Sequence, residues 1–128
     1  MERTNDGSQV QRVLIVDDNA DVRYLTRLTI ESESRLVVGE ATNGAEALDI
    51  AEELQPDAVV IDLRMPLMDG LEATRILRYR FPDLKIIVMS GSDDPLMVRQ
   101  ISAAGADAAV DKDRLDDLVI HLDGDGLR

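Results

Sequence analysis

The chain is built on an alternation: short apolar runs, each followed by a stretch of helical periodicity, recur five times along its length. The runs are Arg12–Val16, Leu36–Glu40, Ala58–Asp62, Lys85–Met89 and Asp107–Asp111. They are aliphatic or β-branched and mostly lack two-residue alternation, the pattern expected of strands covered on both faces. Strand and crossover-helix units of this kind build a parallel α/β sheet. At 128 residues, five such units make one domain. The helices carry their own punctuation. Asn43 can cap a helix running to Leu54, with Glu46 three residues on, and Asp94 can cap one whose first residue is Pro95. Pro56, Pro82 and Gly105 close helices, and Leu115, Leu118, Val119 and Leu122 form a last apolar stripe, with Asp113 as its expected cap and a stop at Gly124. The expected division is a flexible segment 1–11, a domain 12–122 and a tail or linker 123–128.

Composition excludes several functions. Fourteen basic residues against 26 acidic ones give a net charge of -12, which opposes direct nucleic-acid binding, since affinity for phosphate backbones comes from basic contacts. Three aromatics, Tyr24, Tyr79 and Phe81, provide no stacking platform for single strands. No apolar run approaches the roughly 20 residues of a membrane-spanning helix. Residues Met1 to Arg12 lack the apolar core of a secretory signal, and there is no cysteine, so a cytoplasmic location is expected.

In an open parallel sheet, functional groups gather at the carboxyl ends of the strands, and the polar residues of interest fall there. Asp17 and Asp18 follow the first strand, Asp62 ends the third, Ser90 follows the fourth and Lys112 the fifth. Taken singly, each fits a turn, a cap or a solvated charge. Their joint placement is the signal. Three carboxylates brought within a few Å would repel by on the order of 4 kcal/mol per pair at an effective dielectric near 20. A hard divalent cation removes that penalty, and Mg²⁺ favours one or two carboxylates, a carbonyl, waters and a phosphoryl oxygen. With Asp62 as nucleophile toward phosphorus, an acyl phosphate forms, and Mg²⁺, the Lys112 ammonium and the Ser90 hydroxyl with nearby amides neutralise its oxygens. No general base is needed, because a carboxylate is already charged.

These residues resemble the receiver domain of bacterial two-component response regulators. The resemblance runs from about Arg12 to Leu122. It rests on Val13-Leu14-Ile15-Val16-Asp17-Asp18-Asn19, on Ile61-Asp62-Leu63-Arg64-Met65-Pro66 through Met68-Asp69-Gly70, on Met89-Ser90-Gly91, and on Gly105-Ala106-Asp107 leading to Lys112. It implies a flavodoxin-like, doubly wound five-stranded sheet of order 2-1-3-4-5, with two helices on one face and three on the other. It also implies a signalling domain rather than a turnover enzyme: Asp62 accepts a phosphoryl group from a phosphohistidine and slowly loses it. Asp17, Asp18, Asp62 and the Arg64 backbone carbonyl would bind Mg²⁺, while Ser90 and Lys112 read the phosphoryl group. The implied partners are a histidine kinase or histidine phosphotransfer protein, and an output domain or partner protein at the 95–122 surface, with homodimerisation left open.

The chain departs from the pattern in two places. Ala109 stands on the fifth strand where the family usually has an aromatic ring that turns inward, and alanine has no rotamer to change. Asp113 follows Lys112 where many receivers have proline, and an acidic residue there is common in receivers that precede helix-turn-helix output domains. Arg64 and Ser92 flank the path of attacking water in the family. His121, the single histidine, is expected on a surface helix face rather than in a phosphoryl relay. Met65 and Met68 are expected to pack around the loop after Asp62. A dinucleotide-binding domain would need a glycine-rich phosphate loop after the first strand, where Asp17-Asp18-Asn19 stands. A haloacid dehalogenase-type phosphohydrolase wants a second acid two residues after the nucleophile, where Arg64 stands. A receiver-like interaction module working without phosphorylation is favoured by Ala109 and opposed by the complete set of five polar residues.

Overall fold

The computed structural model describes residues 10–91 and 94–124. Its strands are β1 (Gln11–Val16), β2 (Arg35–Ala41), β3 (Ala58–Asp62), β4 (Lys85–Ser90) and β5 (Ala108–Asp111), paired in parallel in the order β2-β1-β3-β4-β5. Between and after them run α1 (Ala20–Ile30), α2 (Gly44–Leu54), α3 (Gly70–Arg80), α4 (Pro95–Ala103) and α5 (Asp117–Asp123). This is the expected flavodoxin-like arrangement. Alternate residues of the central strands enter opposite cores. Leu14, Val16, Val59, Ile61, Ile86 and Val88 pack with Ala47, Ala51, Ala73, Leu77 and Ile101 from α2, α3 and α4. Val13, Ile15, Val60, Ile87 and Met89 pack with Ile30, Leu118 and Leu122 from α1 and α5. The absence of alternation in the strand sequences follows, since both faces are buried.

Most helix starts follow local side-chain chemistry. Asn43 Oδ1 accepts from Glu46 N at 2.8 Å, and Asp94 Oδ1 accepts from Leu96 N at 3.0 Å with Pro95 in the first turn. Asn19 and Asp69 cap α1 and α3 in the same way. Such a cap contributes about 1 kcal/mol. The last helix differs from expectation. Asp113 does not cap it: its N–H is held by Asp111 Oδ1 at 2.8 Å in a turn, and α5 starts only at Asp117, after Asp116, which makes no side-chain cap. The chain reaches α5 through tight turns, Asp117 N to Arg114 O at 3.0 Å and Leu118 N to Leu115 O at 2.9 Å, so the apolar stripe begins before the helix does.

At the strand ends, β1 begins at Gln11, whose N–H bonds Ser34 O at 2.9 Å and whose side-chain amide donates to Leu122 O at 3.0 Å. Asp123 belongs to α5, and Gly124 caps it. The remaining residues of the expected terminal segments, 1–9 and 125–128, lie outside the described residues. Among the described residues, no helix is long and apolar enough to cross a membrane.

Candidate functional site at the carboxyl edge of the sheet

The order β2-β1-β3-β4-β5 places β1 beside β3 and β4 between β3 and β5, so the loops after β1, β3, β4 and β5 meet at one edge. Asp17 and Asp62 come together from neighbouring strands, and carboxylate oxygens of Asp17, Asp18 and Asp62 lie within 4.8 Å of one another. Asp17 and Asp62 are buried, whereas Asp18 is exposed. Lys112 reaches back from the loop after β5, its Nζ 3.0 Å from Asp62 Oδ1 and 3.2 Å from Asp17 Oδ2. The Lys112 amide bonds Ser90 O at 2.9 Å, which ties the lysine loop to the end of β4. Ser90 is buried at that end, level with Asp111 of β5. Asp62, Arg64, Ser90 and Lys112 share the lining of an open pocket of about 460 Å³ with Asp18 and Asn19. All the expected site residues therefore meet in one place. Ser92 lies outside the described residues.

The electrostatics of the pocket are set by burial. Burial pushes the Asp62 carboxyl above the usual aspartate range and the Asp17 charge adds to this, while Lys112 and the Arg64 backbone amide pull the other way. For Lys112, burial pulls the ammonium down, but its ion pairs with Asp62 and Asp17 prevail and raise it. Asp17 Oδ1 accepts from Asn19 N at 2.9 Å, whereas Asp17 Oδ2 is buried and accepts no hydrogen bond, with only the Lys112 ion pair beside it. A buried carboxylate oxygen left in that state, next to two further carboxylates, fits a cation of the Mg²⁺ kind.

The surroundings fix these groups. Leu63 N bonds Met89 O at 2.9 Å and Gly70 N bonds Leu63 O at 2.8 Å, so the turn after Asp62 is held to β4 and to the start of α3. Met65 and Met68 pack against the core beneath it, as expected. Arg23, which carried no role in the sequence reading, donates from Nη1 to Asp17 O at 2.8 Å and from Nε to Glu40 Oε1 at 2.8 Å. Arg27 holds Glu40 Oε2 at 2.6 Å. The Arg27 bond holds the Glu40 carboxyl below the usual glutamate range, against burial and with help from Arg23. Nothing in the spacing of an arginine within a helix announces such a contact. His121 is half-buried in α5, and its carbonyl accepts from Lys85 Nζ at 2.9 Å. Lys85 opens β4, so His121 sits at the opposite edge of the sheet from Asp62.

Ala109, beside Val88 of β4, packs against the α2–α4 side of the core. It borders two clefts, of about 210 Å³ toward Ile101 and Ser102 of α4 and about 260 Å³ toward Ser90 and Arg114. Alanine leaves this region open.

Residues 13–123 match the family model described as the response regulator receiver domain. The chain is 42% identical over 97 residues to the response regulator GacA of Pseudomonas viridiflava, covering 74% of this chain and 45% of that protein. It is 43% identical over 96 residues to the chemotaxis protein CheY of Thermotoga maritima, covering 75% of this chain and 80% of that one. The crystal structure of a two-component response regulator of the LuxR family from Aurantimonas sp. SI85-9A1 superposes with a TM-score of 0.82 at 32% identity, covering 88% of this chain and 81% of that one. The chain thus spans less than half the length of the GacA relative and most of the length of the CheY relative.

Proposed function

The chain belongs to the response regulator receiver domain family, and from that premise we propose that it accepts a phosphoryl group on Asp62, in a Mg²⁺-dependent manner, from a histidine kinase or histidine phosphotransfer protein. The observation that carries this reading is the buried Asp62 carboxylate lining an open pocket, within 4.8 Å of the Asp17 and Asp18 carboxylates and 3.0 Å from the Lys112 ammonium.

A carboxylate oxygen of Asp62 attacks the phosphorus of a phosphoimidazole, the new P–O bond replaces the P–N bond, and the leaving imidazole nitrogen takes up a proton. Asp17, Asp18, Asp62 and the Arg64 carbonyl would hold Mg²⁺, which supplies charge neutralisation at the phosphoryl oxygens. Lys112, 3.0 Å from Asp62 Oδ1, would move its contact from the carboxylate to a phosphoryl oxygen, and Ser90 lines the same pocket. Water later attacks the acyl phosphate and returns Asp62 to its carboxylate. The domain is therefore a switch whose phosphorylated state is slowly reset, acting in the cytoplasm on a partner or output domain at the 95–122 surface.

The test uses the full chain with Mg²⁺ and acetyl phosphate. A single added phosphoryl mass is expected, lost in Asp62→Asn and lost when EDTA removes the metal. No mass gain in the wild-type chain sinks the proposal. It would favour the interaction-module reading, to which the open region beside Ala109 lends support.

A further inference from the structure

Resting on the reading of Asp17 and Asp18 as metal ligands, we propose that Arg23 is a positioning residue for the cation, acting through the peptide that joins those two acids. The Asp17 carbonyl belongs to that peptide, and Arg23 Nη1 grips it at 2.8 Å. Asp17 itself is fixed on its other sides: its N–H bonds Ala41 O at 3.0 Å, its Oδ1 accepts from Asn19 N, and the strand before it is buried. Asp18 has no such anchorage. It is exposed, and nothing among the described contacts holds its carboxylate, so its direction depends on the peptide before it. The guanidinium is held in turn. Arg23 is half-buried, with a side-chain exposure of 18%, and Glu40 on β2 receives its Nε at 2.8 Å. Arg27, one helical turn further on, holds the second oxygen of Glu40 at 2.6 Å. The chain of contacts runs from Arg27 through Glu40 and Arg23 to the Asp17–Asp18 peptide, and it links α1 and β2 to the metal loop. An arginine suits this task because its planar fork makes two directed bonds at once, which a lysine ammonium does not reproduce.

Charge and positioning predict opposite signs. Arg23 is a cation near a cation site, so removing its charge alone would tighten Mg²⁺ binding. Loss of positioning weakens it, and removing a group that orients a metal ligand typically costs tenfold or more in metal affinity.

The experiment titrates the full chain with Mg²⁺ alone by calorimetry and by the amide resonances of residues 17–19, in the wild type, Arg23→Met and Arg23→Lys. Thermal unfolding without Mg²⁺ checks that each variant is folded. The expected result is a Mg²⁺ dissociation constant raised about tenfold in Arg23→Met, with Arg23→Lys between it and the wild type. The rate of phosphoryl uptake from acetyl phosphate should return to the wild-type value at saturating Mg²⁺, because Asp62 and Lys112 are untouched. Binding by Arg23→Met as tight as, or tighter than, the wild type overturns the proposal, as does a rate deficit that persists at saturation. Should Arg23→Met not fold, Arg23→Lys decides, and wild-type affinity in that variant overturns it. A wild-type chain that takes up no Mg²⁺ overturns the reading of the site and this inference together, whereas wild-type binding with unaltered variants overturns the inference alone.

Discussion

Gly70 has no room for a side chain. A Cβ built there would lie 2.0 Å from the Asp62 carbonyl oxygen and 2.9 Å from Leu63 Cα, both backbone atoms that cannot swing aside. Gly70→Ala must therefore displace the turn that carries the phosphoacceptor, at a cost of about 2–3 kcal/mol or more. A urea midpoint lowered to match, together with weakened Mg²⁺ binding, is the expected result, and a variant as stable as the wild type would contradict it. Glu40 supplies the pH prediction. Its folded-state pKa lies below its unfolded one, first because of the Arg27 bond, so the unfolded chain binds more protons in acid. The stability it contributes is fully present above the unfolded value near pH 4.3 and is lost as pH falls through the folded one. Denaturant midpoints measured from pH 6 to pH 3 should drop more steeply in the wild type than in Glu40→Gln. Parallel profiles would count against the ion-pair network. Asp62 was legible in the sequence only together with Asp17, Asp18, Ser90 and Lys112, because all five follow or end strands whose carboxyl ends meet at one edge. Arg23 was not, since its partner is a backbone carbonyl and its role exists only once β1, α1 and β2 have come together.

The elements divide along the same line. The starts of α2 and α4 were legible because their caps are local: Asn43 and Asp94 bond amides two or three residues away. The start of α5 was not, because Asp111 takes the amide of Asp113 and because α5 is held mainly at its other end. There, Lys85 Nζ donates to His121 O and Leu122 O at 2.9 Å each, Gln11 adds its amide, and the buried Arg35 side chain pairs with Asp123. A cation on the last carbonyls also favours the negative end of the helix. None of these partners is near α5 in sequence. Lys85→Met fills similar space but removes two charge-assisted bonds, which should cost about 1.5–3 kcal/mol. Hydrogen exchange at the α5 amides should accelerate in this variant while β1 and β3 stay protected. Unchanged α5 exchange would show that the apolar contacts of Leu118 and Leu122 hold the helix by themselves.

At the scale of the whole molecule, the carboxyl edge holds charges that the sheet brings together, and a bound ion should be felt as global stability. Burial and the Asp17 charge both penalise the charged form of Asp62, and the Lys112 ammonium faces two buried carboxylates. A chain with net charge -12 also responds to added salt by simple screening, so the two effects must be separated. A ligand that binds only the folded state adds about 1.4 kcal/mol for each tenfold rise in its concentration above the dissociation constant, or about 5 °C in Tm for a domain of this size. The Tm should therefore climb with the logarithm of Mg²⁺ concentration. NaCl at matched ionic strength should give a smaller, saturating rise. Asp18→Asn is the informative variant: its side chain is exposed, so the unliganded fold should tolerate it, yet it removes one of the three carboxylates. Its Tm should follow the NaCl curve in both salts. If Asp18→Asn instead keeps the full Mg²⁺ response, the stabilisation comes from the acidic surface at large, and the three carboxylates do not act as one cation site.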